Sequence, residues 1–475
     1  MANDRLEQDS IQWNNSIMKL KYFLLVAAAV AVMSCNCKNE EKSYIIKTPV
    51  PERPAGQQSV IGLTAEPLPT VRIGVVGVGM RGASAVRRLT KVPGAQVTAI
   101  CDIEPDRAEA SRSWLVEHGF PEPVCFSGEQ ESWKGLCERE DVDLVYICTD
   151  WLNHAPIGLY AMECGKHTAI EVPAALTLDE IWSLINTSER TRKHCMMLEN
   201  CVYDFFEMNA LAMAQSGLFG EIIHAEGSYH HNLEPFWHEY WHSWRLEYNK
   251  ANRGDLYPTH GIGPICQALN IHRGDRMTVL TSMDTDPFNG PKAAEFYDGK
   301  PCPDFKNGDV TSTQIRTAKG KTMLIQHDVL TPRPYSRMYQ LVGTEGYAAK
   351  YPVNVFCLQE ELEADANSIG NETVIMGDEA KALQAKYSSP ILTKELEEVA
   401  KKVGGHGGMD FIMDYRLVYC LQRGLPLDMD VYDLAEWCCL SELSRISIEN
   451  GGAPVEVPDF TRGEWDKVKG FSYAL

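Results

Sequence analysis

The stretch VRIGVVGVGMRG at residues 71–82 contains the pattern that decides the fold of this chain. Its first six residues are mostly apolar and β-branched. Three glycines follow in the spacing G-x-G-x-x-G, at Gly77, Gly79 and Gly82, and apolar residues at helical spacing continue to Leu89. A strand, a glycine turn and a helix in this order predict the first βα unit of a dinucleotide-binding fold.

A second predicted strand at 96–102 ends in Asp102, twenty residues beyond Gly82. This is where dinucleotide-binding folds carry the acid that binds the ribose. The glycines would let backbone N–H groups approach a pyrophosphate at a helix N-terminus. Because a carboxylate accepts from a ribose 2′-hydroxyl and repels a 2′-phosphate, the sequence predicts NAD rather than NADP.

Strands and helices continue to alternate along the first half of the chain. The sequence predicts a helix over 105–118, strands near 123–127 and at 143–149, a helix over 157–165 and a strand at 167–173. This alternation predicts an α/β fold in which residues 70–198 form a doubly wound, parallel Rossmann sheet.

After about residue 199 the hydrophobic pattern changes to alternating stretches such as EIIHAEGSYHH and TMLIQHDVL. Alternation with period two is typical of strands that are buried on one face. Helices are predicted over 205–216, 409–423 and 430–447. We therefore expect residues 199–475 to form a substrate-binding α+β domain with a largely antiparallel sheet.

The N-terminal region, residues 1–37, has the pattern of a lipoprotein signal. Lys19 and Lys21 precede an apolar run at 22–33, which is too short to span a bilayer, and V-M-S-C then offers Cys35 for lipidation. Acidic residues before Met18 suit a signal badly, so we expect translation to begin at Met18. The alternative is a buried helix of a cytoplasmic protein.

These features predict an exported lipoprotein, periplasmic or on the outer membrane or cell surface, that meets a membrane only through a lipid on Cys35. Residues 38–69, rich in proline and charge, are predicted to be a linker. A net charge of −20 argues against nucleic acid as a partner. Of the fifteen cysteines, several lie in apolar runs, so mostly free thiols are expected, with any pairing left open.

The stretch TDWLNHAPIGLYAMECGKHTAIEVP, residues 149–173, resembles the Gfo/Idh/MocA sugar oxidoreductases. In that family an E-K-P motif follows the fifth strand, and its lysine assists hydride transfer. This chain has Glu171-Val172-Pro173 instead. Valine cannot transfer a proton, so the resemblance does not by itself imply a standard dehydrogenase.

Five further motifs are similar to glycoside hydrolase family 109, whose members are NAD-dependent α-N-acetylgalactosaminidases and usually carry E-V-P. These motifs are MMLENCVYD (196–204), WRLEYN (244–249), LYPTHGIGP (256–264), QHDVLTPRPYSR (326–337) and GGHGGMDFIMDYR (404–416). The resemblance implies that NAD takes a hydride from sugar C3, the aglycone is eliminated, water adds at C1, and the hydride is returned. No metal is then required.

Export supports the same redox-neutral chemistry on independent grounds. An enzyme outside the cytoplasm cannot count on a supply of NAD, so the cofactor should stay tightly bound and be regenerated in each turnover. The alternatives are a net sugar oxidoreductase of the wider family and a glycan-binding surface lipoprotein with a vestigial NAD fold. A homo-oligomer is left open.

The resemblance also assigns residues to roles. Tyr257, His260 and Tyr229 are the expected proton carriers, and a glycan substrate is expected to contact these three and also Arg245, Pro258, Thr259 and Tyr335, with Tyr339 as a substitute for Tyr335. The residues expected around NAD, besides the three glycines, are Met80, Arg81, Asp102, Trp151, Leu152, Asn153, His154, Glu171, Val172 and Asn200. His406, among four glycines, is interpreted equally as a site residue or as part of a turn.

The segment WHEYWH at 237–242 matches the H-E-x-x-H zinc pattern formally. On a helix, His238 and His242 would share one face, as zinc binding needs. The longer zinc pattern requires glycine at position 245, which is Arg245 here. We therefore expect this aromatic segment to be a wall of the sugar pocket, or to pack onto its own domain, rather than to hold a metal.

Overall fold

A computed structural model describes residues 44–360, 374–471 and 473. The predicted signal region at 1–37, with Met18 and Cys35, lies outside the described residues. None of the helices in the described ranges is both long enough and apolar enough to cross a bilayer. Each cysteine in these ranges is a free thiol.

The first half forms a six-stranded sheet in the order β3-β2-β1-β4-β5-β6. Every neighbouring pair is parallel. The strands are β1 (Val71–Val76), β2 (Ala95–Asp102), β3 (Val124–Ser127), β4 (Leu144–Ile147), β5 (His167–Ile170) and β6 (Cys195–Met197). The predicted doubly wound parallel sheet is confirmed.

Five helices accompany this sheet: α1 (Met80–Leu89), α2 (Pro105–Glu117), α3 (Trp133–Cys137), α4 (Trp151–Glu163) and α5 (Leu178–Thr191). Helix α4 begins six residues before the predicted start at 157, because the carboxylate of Asp150 accepts a hydrogen bond from the backbone N–H of Leu152 and caps the helix. Neither α5 nor β6 was predicted from the sequence. The early start of α4 matters because it brings its first turn to the carboxyl end of the sheet.

The second half is built on a nine-stranded sheet in the order β14-β13-β12-β11-β7-β10-β9-β8-β15. Among the described strands of this sheet only β7 and β10 pair in parallel, so the predicted largely antiparallel sheet is confirmed. The strands are β7 (Ile222–His230), β8 (Met277–Asp284), β9 (Val310–Thr317), β10 (Thr322–Asp328), β11 (Gln340–Gly343), β12 (Gly346–Ala349), β13 (Val355–Leu358), β14 (Ile375–Met376) and β15 (Val455–Glu456).

The α-helices that the structure describes in the second half are α6 (Phe205–Gln215), α7 (Trp244–Ala251), α8 (Thr259–Ala268), α9 (Gly290–Asp298), α10 (Gly377–Lys386), α11 (Lys394–Val403), α12 (Met409–Arg423) and α13 (Val431–Glu449). Three of them, α6, α12 and α13, match the predicted helices to within two residues. Helix α8 crosses β7 closely, since a Cβ atom on Gly227 would lie 2.1 Å from the carbonyl oxygen of Gly261. Two facing glycines therefore set how near the start of α8 comes to the end of β7.

The segment 44–69 differs from the tether that its composition predicts. Ile46 forms a bridge with Val455, and Val60 is buried. The guanidinium of Arg53 donates to Glu189 at 3.1 Å and to Glu464 at 2.8 Å. This segment lies on the protein because its few apolar and cationic side chains find partners that are distant in sequence, which composition cannot show.

Candidate functional site

A cavity of about 1530 Å³ lies between the carboxyl end of the parallel sheet and the ends of β7 and α8. Its walls come from both halves of the chain. Ligands of open α/β sheets bind at this edge, because the strand order reverses there and leaves a crevice. In this chain the reversal falls between β1 and β4.

The glycine turn forms the floor of the cavity. At two of its glycines a side chain would collide with backbone atoms. Gly77 has φ +83°, and a Cβ atom there would lie 2.7 Å from the carbonyl oxygen of Cys148. A Cβ on Gly82 would lie 1.8 Å from the carbonyl oxygen of Gly77, so this position holds α1 against the turn without lining the cavity. At Gly79, the N-cap of α1, no side chain caps the helix. The backbone N–H groups at the start of α1 are therefore available to a phosphate, and the turn fits a dinucleotide.

Asp102, at the end of β2, is buried and lines the cavity as predicted. Its two carboxylate oxygens accept hydrogen bonds from the backbone N–H groups of Val78 at 2.7 Å and Glu104 at 2.9 Å. These bonds hold the carboxylate against the glycine turn. Each oxygen has a second lone pair with which it can accept from a ribose hydroxyl.

Beside the turn, Arg81 joins the two halves of the protein. Its guanidinium donates to Glu171 at 2.8 Å and to Asp410 of α12 at 2.7 Å. Asp410 also contacts Nδ1 of His406 at 3.0 Å and accepts from Asn200. Burial opposes the charge on Arg81, but the two carboxylates raise its pKa well above its usual value. His406 also lines the cavity, which favours its interpretation as a site residue over that of a turn residue alone.

Most of the other residues predicted near the cofactor also line the cavity. His154 contacts the carbonyl oxygens of Pro173 at 2.8 Å and Thr149 at 3.0 Å, so it holds together the chain segments that follow β4 and β5. Leu152 is 64% exposed and does not line the cavity. It points away because it follows Trp151, whose side chain is buried. The remaining predicted cofactor-side residues of the lining are Met80, Trp151, Asn153, Glu171, Val172 and Asn200.

On the opposite wall, His260 is held between a carboxylate and a phenol. We call Glu199, His260 and Tyr257 the His260 cluster. Nδ1 of His260 lies 2.6 Å from Oε1 of Glu199, and its Nε2 lies 3.4 Å from the Tyr257 hydroxyl. Glu199 is fully buried; burial alone would raise its pKa, but the charge and hydrogen bond of His260 hold it below its usual value. An ionised Glu199 favours the tautomer of His260 that leaves Nε2 facing the phenol.

Glu199 was missed as a site residue, although it stands in the motif MMLENCVYD. Its signal was a charged residue within a strongly apolar run, and a buried carboxylate needs a partner. Two residues predicted to contact substrate do not line the cavity: Pro258 is the N-cap of α8, and Thr259 is fully buried in its first turn. They turn the chain so that Tyr257 and His260 face the same space.

Arg245 lies in an aromatic box at the cavity wall. Its guanidinium carbon is 4.7 Å from the ring centroid of Tyr257 and 5.0 Å from that of Trp151, and Nη1 donates to the hydroxyl of Tyr240 at 2.9 Å. Cations over aromatic faces are stabilised by the ring quadrupole. The predicted side chain is therefore fixed in place and keeps donors for a substrate.

Tyr229, at the end of β7, also lines the cavity, and its ring centroid is 4.7 Å from that of Tyr257. Tyr335 is half-exposed and lines the cavity too. Tyr339, the suggested substitute, is buried and packs against Phe206 at 5.9 Å, so it lies outside the site. Tyr339 directly precedes β11, and its side chain lies in the core.

The H-E-x-x-H segment, residues 238–242, does not form the helix that zinc binding would need. Residues Glu234–Glu239 and Trp241–Ser243 are separate 3₁₀ turns, Tyr240 between them is extended, and His242 has φ +49°. The ring of His238 stacks instead on Tyr297, with 5.8 Å between centroids. The indole of Trp241 donates to Glu104 at 3.1 Å, so this aromatic segment reaches across to the Rossmann half and covers one side of the cavity.

Two groups of side chains in the described ranges have the spacing of metal ligands: Glu199 with Cys201 and His260, and His272 with Asp430 and Asp433. In the first group, burial raises the pKa of the Cys201 thiol well above its usual value. A metal would need the thiolate, and Glu199 and His260 already satisfy each other. The second group lies away from the cavity.

A Rossmann half with a dinucleotide turn, joined to a largely antiparallel sheet that carries the opposite wall, defines an enzyme of the NAD-binding oxidoreductase fold. A family model for the "Oxidoreductase family, NAD-binding Rossmann fold" matches residues 71–199, and one for "Glycosyl hydrolase 109, C-terminal domain" matches residues 203–467. The chain belongs to glycosyl hydrolase family 109. It is therefore an NAD-binding enzyme of a glycosidase family.

Similar proteins agree with this assignment. The chain is 59% identical over 96% of its length to glycosyl hydrolase family 109 protein 1 of Bacteroides thetaiotaomicron, covering 99% of that protein. It is 57% identical over 96% of its length to a family 109 protein of Porphyromonas gingivalis, covering 100% of that protein.

Solved structures show the same fold at low identity. A levoglucosan dehydrogenase in complex with NADH has a TM-score of 0.61 and 18% identity, with 82% of this chain and 99% of that chain covered. An aldose-aldose oxidoreductase from Caulobacter crescentus has a TM-score of 0.59 and 13% identity, with 82% of this chain and 100% of that chain covered.

Proposed function

We propose that the protein hydrolyses α-N-acetylgalactosaminides, or closely related glycosides, by oxidation, elimination, addition of water and reduction, with no net redox change. The observation that carries this proposal is the His260 cluster, which lies on the wall of the same cavity whose floor is the dinucleotide turn. The wider family's lysine is replaced by Val172, which lines this cavity. Proton transfer must therefore come from the opposite wall.

When bound, NAD supplies a reversible acceptor for the hydride of sugar C3. The residues that would hold it are the glycine turn, Arg81 and Asp102. The phenol oxygen of Tyr257 takes the proton of the C3 hydroxyl and passes its own to Nε2 of His260. Glu199 stabilises the imidazolium that forms, because a buried negative charge lies 2.6 Å from Nδ1.

A ketone at C3 makes the hydrogen at C2 acidic, and its removal expels the aglycone from C1. Tyr229 is the second phenol at this wall, and its hydroxyl is our candidate for removing the C2 hydrogen. Water then adds at C1, and the same groups return their protons. This scheme differs from glycosidase mechanisms that use two carboxylates.

Arg245 gives the site its donors for the sugar. Its position is fixed by the aromatic box, so its remaining N–H groups can donate to hydroxyls or to an acetamido carbonyl. Tyr240, Trp241 and Trp244 line the same side of the cavity. Aromatic faces of this kind pack against the C–H face of a sugar.

A panel of p-nitrophenyl glycosides, assayed with and without added NAD, tests the activity and its sugar preference. Hydrolysis in D₂O should place deuterium at C2 of the released sugar. Release of sugar with no deuterium at C2 would reject the elimination mechanism.

We further propose that NAD stays bound through each turnover, since α11 and the loop at 404–408 contribute Val399, Lys402 and His406 to the cavity from the second half. Purified protein should then release NAD only on denaturation. Loss of NAD on gel filtration of the native protein would contradict this.

The second candidate is a net sugar oxidoreductase, which the likeness to solved dehydrogenases favours. It predicts that reduced cofactor accumulates with free sugars while no glycoside is cleaved. Following the absorbance of the reduced nicotinamide beside the release of p-nitrophenol separates the two functions.

For the cell, we propose an exported lipoprotein anchored through Cys35 that meets its glycans outside the cytoplasm. The support is the signal pattern at 18–35. Mass spectrometry of the native protein should find a mature chain that begins at a lipidated Cys35. A native chain that retains residues 1–34 would contradict export by this route.

A further inference from the structure

His231 lies directly after β7 and was not among the predicted site residues. It lines the cavity, and its Nδ1 is 3.0 Å from the hydroxyl of Tyr229. Its backbone N–H donates to the carbonyl oxygen of Asp328 at 2.9 Å, and its ring meets Tyr335 edge-on with 5.0 Å between centroids. The backbone bond and the tyrosine thus hold this imidazole against the Tyr229 phenol.

The site therefore contains two tyrosine–histidine pairs. The ring centroid of Tyr229 lies 4.7 Å from that of Tyr257 and 5.4 Å from that of His260, so both phenols border the same space. The two pairs differ in the partner of the histidine's second ring nitrogen, the one that does not contact the tyrosine. His260 has Glu199, whereas within the described ranges no hydrogen-bond partner contacts Nε2 of His231.

The surroundings keep His231 neutral. Burial lowers its pKa to about 4, and the positive charge of Arg245 acts in the same direction. Burial also raises the pKa of Tyr229. At neutral pH the phenol therefore carries its proton, and Nδ1 of the neutral imidazole is free to accept it.

We propose that His231 is the proton acceptor behind Tyr229 in the elimination step. As Tyr229 Oη removes the hydrogen at C2, the O–H bond of Tyr229 breaks and its proton moves to Nδ1 of His231. The electron pair of the C2–H bond becomes the C1–C2 double bond, and the pair of the C1–O bond leaves with the aglycone, which takes a proton from water. His231 acts through Tyr229 and is a positioning residue.

This inference rests on the proposed function and divides its proton transfers between the two pairs. The His260 cluster stores the hydroxyl proton of C3, because Glu199 stabilises a lasting imidazolium. Within the described ranges no carboxylate contacts His231, and the Arg245 guanidinium disfavours its charged form, so it returns its proton readily. A short-lived acceptor suits a step that must run in both directions within one turnover.

The test compares His231→Asn with His224→Asn in the full-length protein with its bound cofactor. Asparagine places an oxygen near the position of Nδ1, so it can accept the hydrogen bond of Tyr229 but cannot take up its proton. His224 lies on β7, the strand that ends just before His231, and contacts Thr322 outside the cavity, which makes it the matched control. Three quantities are measured: reduced nicotinamide formed when substrate is added, deuterium at C2 in D₂O, and glycoside hydrolysis.

For His231→Asn we expect reduced nicotinamide to form within about threefold of the wild-type rate, while C2 exchange and hydrolysis fall about 10²–10³-fold. Tyr229→Phe should show the same pattern, and the double variant should be no worse than either single variant, as for residues that act as a unit. His224→Asn should resemble the wild type.

Normal C2 exchange in a folded His231→Asn variant would overturn this inference, because hydrogen bonding alone would then suffice. Loss of cofactor reduction together with exchange would also overturn it, since His231 would then serve binding in general. If the wild type itself shows no C2 exchange, the proposed function fails instead. A thermal melt of each variant identifies any that has not folded, and His231→Gln then replaces it.

Discussion

His260 and His272 each contact a buried carboxylate, yet of these two histidines only His260 faces the cavity. The His260 cluster combines one histidine with one carboxylate and a phenol at the cavity wall. We call the other the His272 cluster: His272, Arg273, Asp430, Asp433 and Glu436. Nδ1 of His272 lies 2.8 Å from Glu436, and Arg273 binds Asp433 through two bonds of 2.8 Å.

The two clusters differ in their access to the cavity: the His260 cluster faces it, whereas the His272 cluster is enclosed by the protein. Asp430 and Asp433 form the capping box of α13, so the His272 cluster ties a helix start to the loop after α8. The His260 cluster leaves Nε2 directed at a phenol that opens into the cavity. The same residue types thus stabilise the fold where opposite charges lie together away from the cavity, and can move protons where a ring nitrogen faces a phenol at the cavity.

The largest expected effect is on catalysis. His260→Asn should lower kcat for glycoside hydrolysis by about 10³-fold or more, because it removes the acceptor of the Tyr257 proton. The melting temperature and the bound NAD should remain close to those of the wild type. Equal losses of activity in His260→Asn and His272→Asn would erase the distinction between the two clusters.

For the His272 cluster the expected effect is on folding. His272→Asn leaves several buried carboxylates with one cation fewer, which should lower the free energy of unfolding by about 3–5 kcal/mol. Denaturant unfolding of the variant beside the wild type measures this. Below the melting temperature, kcat should stay near the wild-type value; a stable but inactive variant would contradict the assignment.

The two clusters should also separate in the pH dependence of stability. Burial and Arg273 oppose a charge on His272, but Asp433, Glu436 and Asp430 raise its pKa to about 10. Because this pKa exceeds the value near 6.5 of an unfolded chain, the contribution is fully present below about pH 6.5 and is lost as pH rises through 10.

Between pH 7 and 10 the wild type should therefore lose about 3–4 kcal/mol more of its unfolding free energy than His272→Asn does. Chemical denaturation at each pH measures both proteins. Parallel curves for the two would show that His272 is not charged in the folded protein.

A smaller effect is expected at Glu199. Glu199→Gln keeps a hydrogen-bond acceptor for His260 but removes the negative charge, so kcat should fall about 10–10²-fold with KM little changed. Steady-state kinetics give both constants. Glu207→Gln, at a buried carboxylate that binds Arg337 and Lys350 away from the cavity, controls for the loss of a buried charge.

The smallest effect should come from metal removal. Both clusters have the spacing of metal ligands, but internal partners satisfy them, so dialysis against a chelator should leave activity and melting temperature unchanged. Stoichiometric zinc that is lost together with activity would reverse the interpretation of the His260 cluster and of the H-E-x-x-H segment.

The parts that could be predicted from the sequence depend on neighbours along the chain. The glycine turn, the helix at 409–423 and the alternation of β9 and β10 are local patterns, and each was confirmed. Family motifs also placed Tyr257, His260 and Arg245 at one site. The prediction that residues up to 69 form a linker depended on composition alone. It missed the contacts of Arg53 with Glu189 and Glu464, because these residues lie far away in sequence.

By itself, the sequence determined the two kinds of sheet, the dinucleotide turn and the family, because spacing and periodicity record what each short segment can form. Only the tertiary structure decided which charges meet. Glu199 reaches His260 across 61 positions, and Arg81 reaches Asp410 across 329. Such pairs are set by the approach of distant elements, which spacing along one chain does not record.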